Sequence, residues 1–155
     1  MAGESNQLEQ QSDSGVSPSP ETVDALLEAA RYDDLDDIKG LVSDGVPLNS
    51  KDSFGRTALH MAAANGHLQI VKYLIDQGVD VNASNEEKNT ALHWACLNGH
   101  SEVVKKLILA GASLCSLNSH ERTPMDEAVT RGKMDVVDSI NEAVAQRELS
   151  GVAVS

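Results

Sequence analysis

Apolar positions along this chain recur with two nested periods. Leu59, Ala62 and Ala63 stand at i, i+3 and i+4, and after a short break Ile70, Val71, Leu74 and Ile75 follow at the same helical spacing. Each set makes one apolar stripe on a helix. Thr57 precedes the first stripe and can cap it through its hydroxyl, with Ala58, Ala91 or Pro124 at the first helical position, where a proline's missing N–H is no loss. Gly66, Gly99 and Gly132 fall where the first helix of each unit should end, and Gly78 and Gly111 where the second should. The longer period is 33 residues, marked by Thr57, Thr90 and Thr123, and it divides the chain into copies at 52–84, 85–117 and 118–144. Such a period predicts stacked helix–turn–helix units with projecting loops, a solenoid that works through its surface and not through a closed pocket.

One step further back lies a degenerate copy at 19–51. Leu26 takes the place of Leu59, Ala29 and Ala30 replace Ala62 and Ala63, Ile38 replaces Val71, and Gly45 falls where Gly78 falls. Gly66 and His67 become Asp33 and Asp34. The last copy also departs: His60 and His93 become Asp126, and the Gly-Ala step after its second helix is missing. Units that are apolar inside and charged outside suit the two ends of a stack. The expected organisation is a disordered tail at 1–18, a repeat domain at 19–144 and a flexible C-terminal tail at 145–155. The first tail ends in two Ser-Pro pairs, at Ser17 and Ser19, which read either as substrates for proline-directed kinases or as a plain linker.

The strings TALHMAAANGH and TALHWACLNGH, each followed by V-x-x-L-I and a glycine, resemble the ankyrin repeat, and the resemblance covers residues 19 to about 144. It implies an all-α, L-shaped ankyrin-repeat solenoid of four repeats. Loop tips and first helices would line a concave binding groove, and the repeats themselves would carry no catalysis.

Charge narrows the partners. The chain has 24 acidic and 12 basic residues, a formal net charge of −12, which argues against nucleic acid and anionic membranes and for a partner with a basic segment. No apolar run approaches the roughly 20 residues of a membrane span. The opening MAGESNQLEQ shows neither the basic start nor the apolar run of a secretory signal, and two cysteines are too few for a disulfide framework. A cytoplasmic and/or nuclear location is therefore expected, and Asn82-Ala83-Ser84 carries little weight as a glycosylation acceptor.

Residues that look like chemistry have duller explanations. His93, Cys96 and His100 could place three soft ligands near one helical face. Both histidines, however, recur one period earlier as His60 and His67, and Cys96 replaces Ala63 on the buried stripe. Cys115 and His120 could pair, yet nothing orients the base, and there is no phosphate-binding glycine loop. The acidic run Asp33, Asp34, Asp36 and Asp37 fits a charged turn at a helix start. No metal, cofactor or enzymatic activity is expected.

Partner-binding candidates are the positions that the repeat pattern leaves open. At the loop tips these include Phe54, Arg56, Glu86 and Glu87, with Asn89 and Arg122 also open by this criterion. On the groove side of the first helices come Tyr32, Asn65, Trp94, Leu97, Asn98 and Arg131. Phe54 and Trp94 are the chain's sole Phe and Trp; Trp94 reads either as a groove anchor or as partial core. Residues 19–51 carry eight acids and three bases (net −5), and 85–117 carry three of each (net 0), so the acidic run joins the candidates, or serves only solubility. The expected function is a monomeric, non-catalytic protein-binding module. In size and acidity the chain resembles the small eukaryotic ankyrin-repeat chaperones that escort a basic small-subunit ribosomal protein; the alternative is a regulatory adaptor or inhibitor.

Overall fold

The computed structural model describes residues 18–150. Its helices form four consecutive pairs: α1 (Pro20–Arg31) with α2 (Leu35–Ser43), α3 (Ala58–Ala64) with α4 (Leu68–Asp76), α5 (Ala91–Asn98) with α6 (Ser101–Leu109), and α7 (Pro124–Thr130) with α8 (Met134–Leu149). The first helices stack in chain order as one row and α4, α6 and α8 as a second. Apart from an isolated bridge between Ser84 and Thr90, the described residues hold no strand.

The threonines cap as the sequence predicts. Thr57 and Thr90 accept from the backbone N–H of His60 and His93, both at 3.3 Å, and the two imidazoles return the bond by accepting from the threonine N–H groups at 3.2 and 3.1 Å. Two donors that the first turn would leave orphaned are satisfied reciprocally. Thr123 and Asp126 close the same box at 3.1 and 3.0 Å. Asp126 can do so because this half of the task needs only an acceptor. The other half, reaching forward to a neighbouring carbonyl as His60 and His93 do, is not made by Asp126 among the described residues.

Alanines on the first helices let the rows approach: Ala30, Ala62, Ala63 and Ala95 are fully buried, as is Cys96. Ile38, Ile70, Val71, Leu74, Val104, Leu107 and Ile108 fill the space between the rows. The turn inside each pair needs a left-handed residue. Gly66, Gly99 and Gly132 supply it at φ 75°, 82° and 69°, and in the first repeat Asp33 adopts the same conformation at 65°. Aspartate tolerates this region better than most residues.

One expected boundary is corrected. Residues 145–149, read as flexible tail, are the end of α8. The missing Gly-Ala step is the reason: Val144 and Ala145 stand where Gly111 and Ala112 would stop the helix, and nothing breaks it. Arg147, buried on this extension, donates from Nη1 to the Ala112 carbonyl at 3.1 Å. The remaining tail positions, 1–17 and 151–155, lie outside the described residues.

Two glycine variants separate conformation from contact. A Cβ on Gly78 (φ 86°) would meet nothing within 4 Å, whereas on Gly66 (φ 75°) it would lie 2.6 Å from Nδ1 of His100. Urea denaturation should show Gly78→Ala losing about 1–2 kcal/mol, the left-handed penalty alone, and Gly66→Ala losing clearly more. Equal losses would mean that the His100 ring moves aside without cost.

Candidate binding surface

The predicted site residues fall on two rows at opposite ends of the first helices. One row is the loop tips. Each tip opens on a side-chain acceptor that closes the turn: Asp52 Oδ1 accepts from the N–H groups of Phe54 and Arg56 at 2.9 Å, and Asn85 does the same for Glu87 and Asn89. Asn118 repeats it for His120 and Arg122 at 2.9 and 3.1 Å. These caps hold the tips in a fixed shape, as Asx turns do. Phe54 is 59% exposed, with the Arg56 guanidinium 5.0 Å from its ring centre. Arg56 is also gripped by Asp52 at 2.7 Å. Burial works to raise the Asp52 carboxyl, but hydrogen bonds from Arg56 and Phe54 outweigh it and hold the carboxyl below its usual range. Glu86 and Glu87 are exposed.

The other row follows the C-terminal ends of the same helices. Tyr32, Asn65, Asn98 and Arg131 share one position in the repeat, and all are exposed, Tyr32 by 70%. Asn65 donates to the Met61 carbonyl at 2.8 Å, and Asn98 crosses to the Ala64 carbonyl of the preceding repeat at 3.0 Å. The acidic run begins beside this row. Asp33 stands 3.8 Å from His67, Asp34 caps α2 by accepting from the Asp37 N–H at 3.1 Å, and Asp36 and Asp37 occupy the first turn of α2. Trp94 and Leu97 lie between the rows, both half-buried. The Trp94 ring meets His60 edge-on, centroids 5.2 Å apart, so one side of it belongs to the core. A seven-residue helix such as α3 separates the rows by about 10 Å.

Of the further positions read as open, Asn89 is not, and Arg122 is exposed but tied to its neighbours. Asn89 is buried, its carbonyl accepts from His60, and its side-chain oxygen accepts from Asn118 at 2.9 Å. The Arg122 carbonyl accepts from His93, and its guanidinium reaches Glu127 at 3.6 Å. Glu127, buried where Met61 and Trp94 stand in other repeats, also accepts from Asn118 at 2.6 Å. Sequence reasoning missed this network because its members lie in different parts of the pattern. Of the two candidate modification serines, Ser19 caps α1 by accepting from the Thr22 N–H at 3.2 Å, and Ser17 lies outside the described residues.

The His93, Cys96 and His100 set is dispersed among three duties. His93 Nε2 donates to the Arg122 carbonyl at 2.9 Å, and His100 Nε2 to the Ala64 carbonyl at 2.9 Å. Cys96 is fully buried, and burial, aided by the charge of Glu127, pushes its thiol up to about 12. Among the described residues no three His, Cys, Asp or Glu side chains form a metal-binding group, and no helix is long and apolar enough to cross a membrane. In His60 and His93, Nδ1 accepts from a backbone N–H while Nε2–H donates to a carbonyl. That pattern requires the neutral ring. Burial accordingly holds both imidazoles below the ordinary histidine range.

A family model described as ankyrin repeats (3 copies) matches residues 26–118, more than half of the chain. Among curated proteins, the chain is 39% identical over 46 residues to acyl-CoA-binding domain-containing protein 1 of Arabidopsis thaliana. That stretch is 30% of this chain and 14% of that protein.

The histidine geometry has a pH signature. An imidazole whose pKa falls on folding binds fewer protons folded than unfolded, so its contribution to stability is full above the ordinary value of 6.5 and is lost as pH falls through that value toward the lowered one. Tm should be level above about pH 7 and begin to fall as pH drops below about 6.5. The His60→Gln, His93→Gln double variant should be less stable at neutral pH, with a flatter profile across this window; an unchanged slope would assign the effect to other groups.

Proposed function

Because the chain belongs to the ankyrin-repeat family, whose repeats mediate contacts between proteins, we propose that its loop tips and first helices hold a partner protein through a basic segment of that partner. The observation that carries this reading is how charge is spent along the tips. Arg56 and Arg122 are engaged by Asp52 and Glu127, whereas Glu86, Glu87 and Glu121 make no ion pair among the described residues. Lys51, Lys88 and Arg131 are exposed bases set against them, beside the Arg122 that Glu127 holds, and Asp33, Asp36 and Asp37 add acid at the other row. The field that an approaching chain meets is negative, and such a field accelerates encounter with a positive one. Phe54 and Tyr32 offer exposed aromatic surface at the two rows, the residue type that anchors interfaces.

An acidic binding face competes with nucleic-acid phosphate for the same basic side chains. This favours an escort that covers a basic protein before it reaches RNA, as a newly made ribosomal protein would require. A regulatory adaptor is the second reading, favoured by the aromatic surface and not by the charge.

The test is affinity capture with the full chain, eluted stepwise with salt. A basic protein released at moderate salt supports the escort. For that pair, replacing Asp36, Asp37, Glu86 and Glu87 by their amides should slow association by about tenfold or more at low salt, with little change in dissociation. An unchanged on-rate would reject steering by these acids. Partners that resist salt and are lost with Phe54→Ala and Trp94→Ala would instead establish the adaptor.

A further inference from the structure

The loop tips are joined by a short ladder of backbone hydrogen bonds. The Glu86 N–H donates to the Phe54 carbonyl at 3.0 Å, and the Ser119 N–H donates to the Glu87 carbonyl at 2.9 Å. Ser53 holds the same place in its repeat as Glu86 and Ser119. The first repeat, however, opens directly on α1 and has no tip to offer a carbonyl. The ladder therefore ends on a Ser53 N–H that makes no backbone bond among the described residues.

Two clefts meet at this edge and share Asp24, Asp52 and Ser53. One, of about 660 Å³, is walled by Pro18, Pro20, Val23 and Pro47. The other, of about 290 Å³, runs past Leu27 and Glu28 to Phe54; Lys51 lines the first, and Arg31 and Arg56 line the second, where Asp52 holds Arg56. Glu21, Asp24 and Glu28, at i, i+3 and i+7, are all exposed on α1, and helical spacing puts them on one face. A backbone donor with no partner among the described residues, apolar walls and an acidic flank thus lie side by side at this edge.

We propose that this free edge binds an extended segment of a partner protein with alternating apolar and basic side chains, whose backbone continues the tip ladder by accepting from the Ser53 N–H. Edge pairing of this kind takes affinity from main-chain bonds and specificity from alternate side chains. Apolar side chains would enter the proline-walled cleft, and basic ones would face α1. Charge on α1 selects this occupant over the others at hand: with Asp52 and Arg56 paired to each other, Glu21, Asp24 and Glu28 outnumber Lys51 and Arg31. The chain's own residues 1–17 contain three acids and no base, and a second copy carries the same net charge of −12, so the acidic face repels both. The inference rests on the basic partner proposed above and places part of it off the concave face.

The experiment titrates the isotopically labelled full chain with two synthetic decapeptides, one alternating Lys with Val and one alternating Glu with Val, and follows backbone amide shifts. The Lys–Val peptide should shift the amides of Val23, Asp24, Ser53 and Phe54 saturably, and the Glu–Val peptide should not. Ser53 sits second in a turn closed by the Gly55 N–H on the Asp52 carbonyl at 3.0 Å, a position that suits proline, so Ser53→Pro removes the donor without disturbing the fold. It should weaken the Lys–Val peptide about fivefold, the loss of one hydrogen bond. Unchanged affinity in Ser53→Pro, or equal binding of the Glu–Val peptide, would overturn the proposal. Shifts centred on Trp94 and Leu97 would overturn it while leaving the concave-face reading standing, and no saturable shift at either place would remove both.

Discussion

Every junction in this stack has a histidine donating to a carbonyl of the neighbouring repeat. His67 reaches back to Arg31 at 2.7 Å, His60 forward to Asn89 at 2.8 Å, His100 back to Ala64 at 2.9 Å and His93 forward to Arg122 at 2.9 Å. The constraint behind this is general: a backbone carbonyl taken out of water at a helix end or a turn must find a donor. A solenoid of short helices has such groups at every unit and no sheet to satisfy them. Imidazole suits the task because one ring nitrogen can serve its own repeat while the other serves the next. The remaining features follow from these ties. The alanine stripes must be small enough for the rows to come within reach, and the turn glycines must bend sharply enough to present the second pair of rings.

The repeating part of this molecule was legible because periodicity reports on what each unit does for its neighbours. Thr57, Thr90 and Thr123 predicted three helix starts, and the glycines predicted the helix ends, since each residue has one physical use in the pattern. Reasoning by pattern failed where a position varies for a structural reason. Asn89 and Glu127 differ from their counterparts in other repeats, which made Asn89 look free; in fact the two join through Asn118 into a buried network peculiar to the third and fourth units. The end of α8 was misread because a missing stop signal leaves a helix running, and an absence is harder to read than a glycine. The candidate surface was legible only as a set of positions. Its division into two rows depends on helix length and stacking, which no single repeat reveals.

The two rows divide the labour differently. At the tips the arginines are consumed by the turn architecture, which leaves the carboxylates as the groups turned outward. Along the other row, amides and acids hold helix ends, so Asp34, Asn65 and Asn98 are structural before they are anything else. A surface assembled from such residues is rigid, because each side chain available to a partner sits next to one fixed by a backbone bond. Preorganisation of this kind lowers the ordering cost of association.

The two ends of the stack are not equally secured. α8 runs along α6 in the most extensive helix pairing of the molecule, and its buried arginine fastens the last repeat to the one before. At the other end α2 buries Ile38 alone and barely touches α4. In a one-dimensional chain of units, opening starts wherever the nearest-neighbour coupling is weakest. The protein thus has a polarity of compliance, with an anchored C-terminal end and an N-terminal pair that can loosen while three repeats stay intact. A ligand that bridges the first two repeats would act as a clasp, and part of its binding energy would appear as stiffness of the stack.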